Sequence, residues 1–446
     1  MRLRLVLFPP RRGKNSITVR LSVYPPELQI PNVRWHSGTT YSFALATLAL
    51  ACSTACTQKL PNYPPAYREY AYVTNGRSNS VSVLDMRDYK SLATIPVGLN
   101  PTGVAANSQK NEVYVVNTGS NSLSVIDAEQ NKVIAIIGVE RTPYFVDISA
   151  DGSRAYVANS ASNSVSVIDL NSRRVLRNIA VGKSPGLARV SRDGKVVVVA
   201  ERVGNSVSVI DAEKMTVRSS LPVCQQPTDV EILPDSTKAF VSCSESAQVA
   251  VVGLNASGDA RNELAPTQNL RDGKRTRQDT QEQPAGPDRV LALLDVGATP
   301  VHLALKPDGG EIFVSNFGAD TISEIATGTD EVGGSYVIGA GPVRGLVSAD
   351  NSTLYVSNFN SDTIGLYSTD DGKFLGAVHV GSHPDALALS PNQNFLFVAD
   401  TGAADVSVVR TGVTPPVLLT IIPVGQQPNA IAVKAFILRK PPSSVQ

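Results

Sequence analysis

A four-residue phrase, aromatic–Val–small–Asn, returns eight times along this chain at a nearly constant spacing. Its clearest copies are Tyr72–Asn75, Tyr114–Asn117 and Tyr156–Asn159. Val198–Glu201 and Phe240–Cys243 keep the frame but change the last residue. Phe313–Asn316, Tyr355–Asn358 and Phe397–Asp400 complete the series. Successive copies start 42 residues apart, except between Phe240 and Phe313, where an insertion lengthens the period. A period near 40 residues built from β-type segments marks a propeller. Each unit is one small sheet that cannot bury its own faces and must stack on its neighbours.

One unit resolves into four strands. Pro143–Ile148 reads as strand A, and Ala150-Asp151-Gly152 is a turn signal. Arg154–Asn159 is strand B. Ser164–Ile168 alternates polar and apolar residues, as a half-buried strand C should. Arg174–Val181 is strand D, and Gly182 opens the loop to the next strand A at Pro185. Strand A recurs at Pro101, Pro143, Pro185, Pro227, Pro300, Pro342, Pro384 and Pro428, giving eight A segments for eight B segments. The chain of repeats begins with strand B at Tyr72 and ends with strand A at Pro428–Val433. The expectation is therefore an all-β propeller of eight four-stranded blades, with the first blade closed by strands from both termini. Closure of this kind removes free sheet edges. Seven blades with one unit packed outside is the alternative.

The Tyr72–Asn75 motif, the Asn-Ser-Val-Ser-Val-Leu/Ile-Asp strand C (Asn79–Asp85, Asn121–Asp127, Asn163–Asp169, Asn205–Asp211) and the Ile-Pro-Val-Gly ending at Ile95–Gly98 resemble the YVTN-family β-propeller repeat. The resemblance spans residues 70–433. That family includes archaeal surface-layer proteins and many exported bacterial proteins, mostly without a defined activity. It is similar to the propellers of lactonase-like proteins and of nitrite reductase haem d1 domains. The fourth and fifth copies depart from the pattern, and the resemblance carries no catalytic set and no cofactor.

The formal charge is +1, so no net field draws the chain to nucleic acid or to acidic lipid. No basic run with interleaved aromatics suggests single-stranded nucleic acid either. Tyr41–Ala51 is an uncharged apolar run, too short to span a bilayer but fitting a secretory h-region. Cys52 follows Ala49-Leu50-Ala51, a lipobox-like sequence with Ala where Leu is usual, so Cys52 is the expected site of lipid attachment. Residues 1–60 read as a leader, residues 66–435 as one propeller domain and residues 436–446 as a tail. The insertion at 255–289 is polar and poor in apolar residues, and is expected to be disordered or to order on a partner. Cys224 takes the place of the loop glycine and Cys243 that of the motif Asn in one blade. By strand order both lie on one face, so a disulfide is expected.

No Ser-His-Asp order, nucleotide loop or CxxC motif is present. His379 and His383 are four apart, about 13 Å on an extended strand, so they are not read as a metal pair. The repeat breaks its rules on strand A. Two positions after the proline, consecutive blades carry Asp229, His302 and Arg344, with Asp385 and His383 nearby; these form the candidate ligand site at the channel mouth, paired structural charges being the alternative. Four positions after it, Asp147, Arg189 and Glu231 replace Ala or Leu and are expected to form a structural charge network. The reading is an exported, lipid-anchored, monomeric and non-catalytic propeller. It would bind an envelope protein or a small polar ligand, use no cofactor or metal, and touch the membrane only through its lipid. The alternative is an extracytoplasmic enzyme of lactonase-like or redox-associated type. Mass spectrometry of protein taken from cells is expected to show a mature chain beginning at a lipidated Cys52; an intact Met1 would refute export by this route.

Overall fold

The computed structural model describes residues 64–254, 288–413 and 415–438. It also describes two short backbone segments, Leu5–Leu7 and Val19–Leu21, which pair antiparallel. The leader with Cys52, the insertion except its last residues, and the tail beyond Leu438 lie outside the described residues.

The strands from Tyr67 onward form eight four-stranded antiparallel sheets, each ordered A–B–C–D. The A strands of neighbouring blades pack on one another around a complete ring. This settles the count at eight blades rather than seven. The first blade takes its A strand, Pro428–Ile437, from the C-terminal end and Tyr67–Asn75, Ser80–Asp85 and Lys90–Pro96 from the N-terminal side. The A strands at Pro101, Pro143, Pro185, Pro227, Pro300, Pro342 and Pro384 open the second to eighth blades in turn. The closing pair is longer than the repeat required, running from Tyr67↔Ile437 to Asn75↔Pro428. Its extra length is sealed by Tyr70 and Phe436, whose rings meet edge-on at 5.6 Å.

The motif supplies the packing rule. Successive strand residues point to opposite faces, so the aromatic faces the next blade and its Val the previous one. Tyr72 packs with Val113 and Val115 of the second blade, while Ala71 and Val73 pack with Phe397 of the eighth. The described core consists of eight clusters, one at each blade–blade interface.

The motif Asn explains the face that carries the D–A loops and B–C turns. Asn117 Nδ2 donates to Ser122 Oγ at 3.1 Å and to Ser124 Oγ at 2.9 Å, tying strand B to strand C. Its Oδ1 accepts the N–H of Gly98 at 3.1 Å, tying in the incoming loop. A Cβ on Gly98 would stand 2.7 Å from Asn117 Cβ, so this approach requires glycine. Asn75 and Asn159 repeat the same donor pattern. In the fourth blade Glu201 takes the Asn position and accepts from Ser206, Ser208 and Gly182 N–H. In the fifth, Cys224 and Cys243 form a disulfide with Cα atoms 5.7 Å apart, closing covalently the gap that the Gly–Asn contact closes elsewhere. Deleting residues 428–446 is expected to abolish the cooperative thermal transition, because it removes strand A of the first blade and opens two interfaces; a truncated chain melting like the whole would contradict ring closure as a stability determinant.

Candidate functional site

Strand A is hydrogen-bonded on one side only, so alternate N–H groups face the channel without a ladder partner. Side chains from the preceding blade cap several of them. Asp147 Oδ2 accepts from Val190 N–H at 3.0 Å, and Asp229 Oδ2 from Leu303 N–H at 3.0 Å. His302 Nδ1 accepts from Gly345 N–H at 3.3 Å. That bond assigns the ring proton to Nε2, which lies 3.8 Å from Asp229 Oδ2.

The same residues form an arc of alternating charge on the inner wall from the third blade to the eighth. Arg189 donates to Glu231 Oε1 at 2.9 Å and to Val230 O at 3.2 Å, and its Nη1 lies 4.0 Å from Asp147 Oδ2. Its guanidinium also sits over the Phe145 ring, 5.2 Å from the centroid. Farther round, Arg344 Nε reaches Asp385 Oδ1 at 3.4 Å. On the opposite part of the wall the equivalent residues are Ala386, Ala430 and Gly103, with Ala388, Ala432 and Ala105 below them. One side of the channel is thus charged and filled, and the other is lined by small residues.

Burial sets the protonation of the arc. Glu231 is pushed up to about 7 by desolvation, against the pull of Arg189, and Asp147 is raised for the same reason. Burial opposes the charge on Arg189, but Glu231, Asp147 and Asp229 outweigh it and hold it cationic. His302 is held down to about 4 by burial, with Arg344 and Arg189 adding to the effect and Asp229 opposing it. It is therefore a neutral imidazole at neutral pH, a fixed donor from Nε2 rather than a group that titrates there.

His383 stands apart from the arc, on the rim. Its backbone φ of +54° matches that of Asn100, Thr142 and Ser184 in the equivalent loop position, and its N–H donates to Asp362 Oδ1 at 2.8 Å. The ring packs against Phe359 at a 50° tilt, with centroids 4.6 Å apart. Phe359, His383, Arg77, Gln427 and the turn Thr401–Ala404 line an open cleft of about 460 Å³ across the seventh, eighth and first blades. Sequence reading passed over Phe359 and Arg77. Both follow the motif Asn closely, but Phe317 repeats the aromatic in the sixth blade, so Arg77 was the departure available as a signal. Among the described residues no group of three or more His, Cys, Asp or Glu side chains could hold a metal ion. Replacing Arg189 by Met is expected to cost about 3–5 kcal/mol near pH 7, because it strands buried carboxylates. The loss should grow above pH 7 and shrink by pH 5, because Glu231 takes up its proton near pH 7; denaturant unfolding across that range measures both terms.

Residues 43–191 match the family of YNCE-like beta-propellers. No curated protein matches the chain. Among solved structures, hydrazine synthase of Kuenenia stuttgartiensis is 20% identical, covering 77% of this chain and 92% of its own, with a TM-score of 0.50. A protein of Desulfotomaculum acetoxidans described as functionally unknown is 14% identical, covering 82% and 98%, with a TM-score of 0.54. Dihydro-heme d1 dehydrogenase NirN in complex with DHE is 13% identical, covering 85% and 78%, with a TM-score of 0.64. At these identities the likeness is one of fold. Eight blades built on one repeated motif make this chain an eight-bladed β-propeller, and its residues 43–191 match the family of YNCE-like beta-propellers, a YVTN-type family.

Proposed function

We propose that this propeller is an exported, lipid-anchored binding module that takes a small anionic ligand at the channel mouth. The observation carrying the ligand class is Arg344. Its side chain is 43% exposed, only its Nε is engaged, and among the described residues nothing accepts from its Nη atoms. A guanidinium fixed at one nitrogen and open at two presents the fork that carboxylates and phosphates fit. Neutral His302 stands next along the arc, and the small residues across the channel leave room opposite it. Export and anchoring rest on the apolar run at Tyr41–Ala51 and on Cys52.

The enzymatic alternative has one supporting contact, Ser382 Oγ at 3.0 Å from His383 Nδ1. These are chain neighbours on the rim, and the ring is held by Phe359 rather than by a carboxylate. A hydrolytic site also needs a group that orients the base, so binding is the reading the geometry supports. Thermal shift with inorganic phosphate and with succinate tests it. The native protein should be stabilised by at least one of them, by about 2.7 kcal/mol at a hundredfold excess over Kd. Arg344→Ala should lose that shift while melting normally without ligand. An unchanged shift in the variant would move the site away from Arg344.

A further inference from the structure

Outside the fifth blade, which uses the Cys224–Cys243 disulfide, hydrogen bonds of the motif residue close the knot at the end of strand B. Asn75, Asn117 and Asn159 each give two N–H groups to the hydroxyls five and seven residues on. Where Glu201 replaces Asn, the hydroxyls of Ser206 and Ser208 turn round and donate. The eighth blade changes two positions at once. Asp400 stands in the Asn place and Asp405 in the place of the first hydroxyl, and the two are cross-strand partners. Ser407 supplies Asp400 Oδ2 with its N–H at 3.0 Å and its hydroxyl at 2.6 Å. Asp400 is fully buried, and each carboxyl retains an Oδ1 with no donor. Beside the Glu201 blade, where two hydroxyls donate to one carboxylate, this blade lacks one donor hydrogen, and facing carboxylates in such a place cannot both ionise.

The pair sits at the root of a turn that walls the rim cleft. Strand B ends at Asp400, strand C begins at Asp405, and Thr401–Ala404 lie between them. Thr401 N–H donates to His383 O and Gly402 N–H to Ser382 O, both at 3.0 Å. Gly402 is pressed so close to the His383 ring that a Cβ there would lie 2.4 Å from Nδ1. Ser407 Oγ, which donates to Asp400, accepts Gly381 N–H from the same loop at 3.0 Å. We propose that Asp400 and Asp405 share one proton and act as a pH-sensitive latch on the Thr401–Ala404 turn, closed when the proton is held and loosened when it leaves.

Burial is the main force retaining the proton on Asp400, with Ser407 opposing and Asp405 adding to it. Asp405 is raised by burial as well. The other titratable groups on the elements around the pair are His383, Asp362, which accepts from His383 N–H, and Asp385, which pairs with Arg344. Arg77 lines the far side of the cleft and Arg410 ends strand C. None of these is a leading influence on either carboxyl. The folded protein holds a proton that the unfolded chain has released, so stability falls as pH rises from the ordinary carboxylate range to about 8, and levels off above it.

Three variants and two readouts decide the matter. Melting temperature from pH 5 to pH 9 should decline more steeply in the native protein than in Asp400→Asn, whose amide supplies the missing donor permanently. Asp405→Ser restores the hydroxyl of the other blades and should flatten the profile in the same way, which keeps the test alive if one variant folds poorly. Arg189→Met serves as a control, since it alters a different titration. A protonated-carboxyl infrared band at pH 7 should be stronger in the native protein than in Asp400→Asn, the remainder belonging to Glu231. By NMR the Thr401 and Gly402 amide signals should move at the pH where the Asp400 contribution to that band disappears, and in Asp400→Asn they should not. Profiles of both Asp variants parallel to the native one, or an acid band at pH 7 equally strong in the native protein and in Asp400→Asn, would overturn the shared proton. Thr401 and Gly402 amide profiles identical in the native protein and Asp400→Asn would overturn the latch.

Discussion

The constraint behind this molecule is that a four-stranded blade of this kind has two apolar faces and no means of covering either. Tyr72 needs Val113 and Val115 of the next blade, and Val73 needs Phe397 of the one before. Stability is therefore a property of interfaces rather than of blades. A row of such units would end in two bare faces. Curling the row into a ring removes both, and splitting the first blade between Tyr67–Asn75 and Pro428–Ile437 makes the last interface a hydrogen-bonded one as well.

The architecture was legible because its determinants are local and repeated. A 42-residue spacing, a proline opening each strand A and equal numbers of A and B segments fix the number of blades and the manner of closure. The positions where strand A breaks its pattern were legible for the same reason, since Asp229, His302 and Arg344 fall on one register. What those side chains touch was not. His302 accepts from Gly345 in the next blade, and a bulge just after Pro300 sets the register of its strand. No single-repeat pattern encodes that contact. The Phe359–His383 contact and the Asp400–Asp405 pair escaped for a related reason: each joins residues that are unremarkable in their own segment and meaningful only opposite one another.

A symmetric frame here carries an asymmetric wall. The backbone repeats eight times, but the polar arc runs along the third to seventh blades and ends at Asp385, while Ala386, Ala388, Ala430, Ala432, Gly103 and Ala105 hold the equivalent places of the eighth, first and second. Anything entering the channel meets carboxylates and guanidinium groups on one side and Ala and Gly on the other. Such a wall discriminates by orientation, which a symmetric ring of identical side chains cannot do.

Strand order also separates the two ends of the ring. The proline ends of the A strands share a face with the B–C turns, whereas the C–D connections emerge on the opposite face. The insertion leaves strand C of the fifth blade at Gly253 and returns to strand D at Arg289. Asp288 fastens that return by a bidentate bond from Arg218 of the fourth blade, at 2.8 and 2.7 Å. A strand of six residues such as Pro227–Ile232 spans about 20 Å. Whatever meets the insertion at its roots is thus held one strand length away from whatever occupies the mouth. The blades themselves keep the two faces of the ring a fixed strand length apart, whatever the side chains on either face.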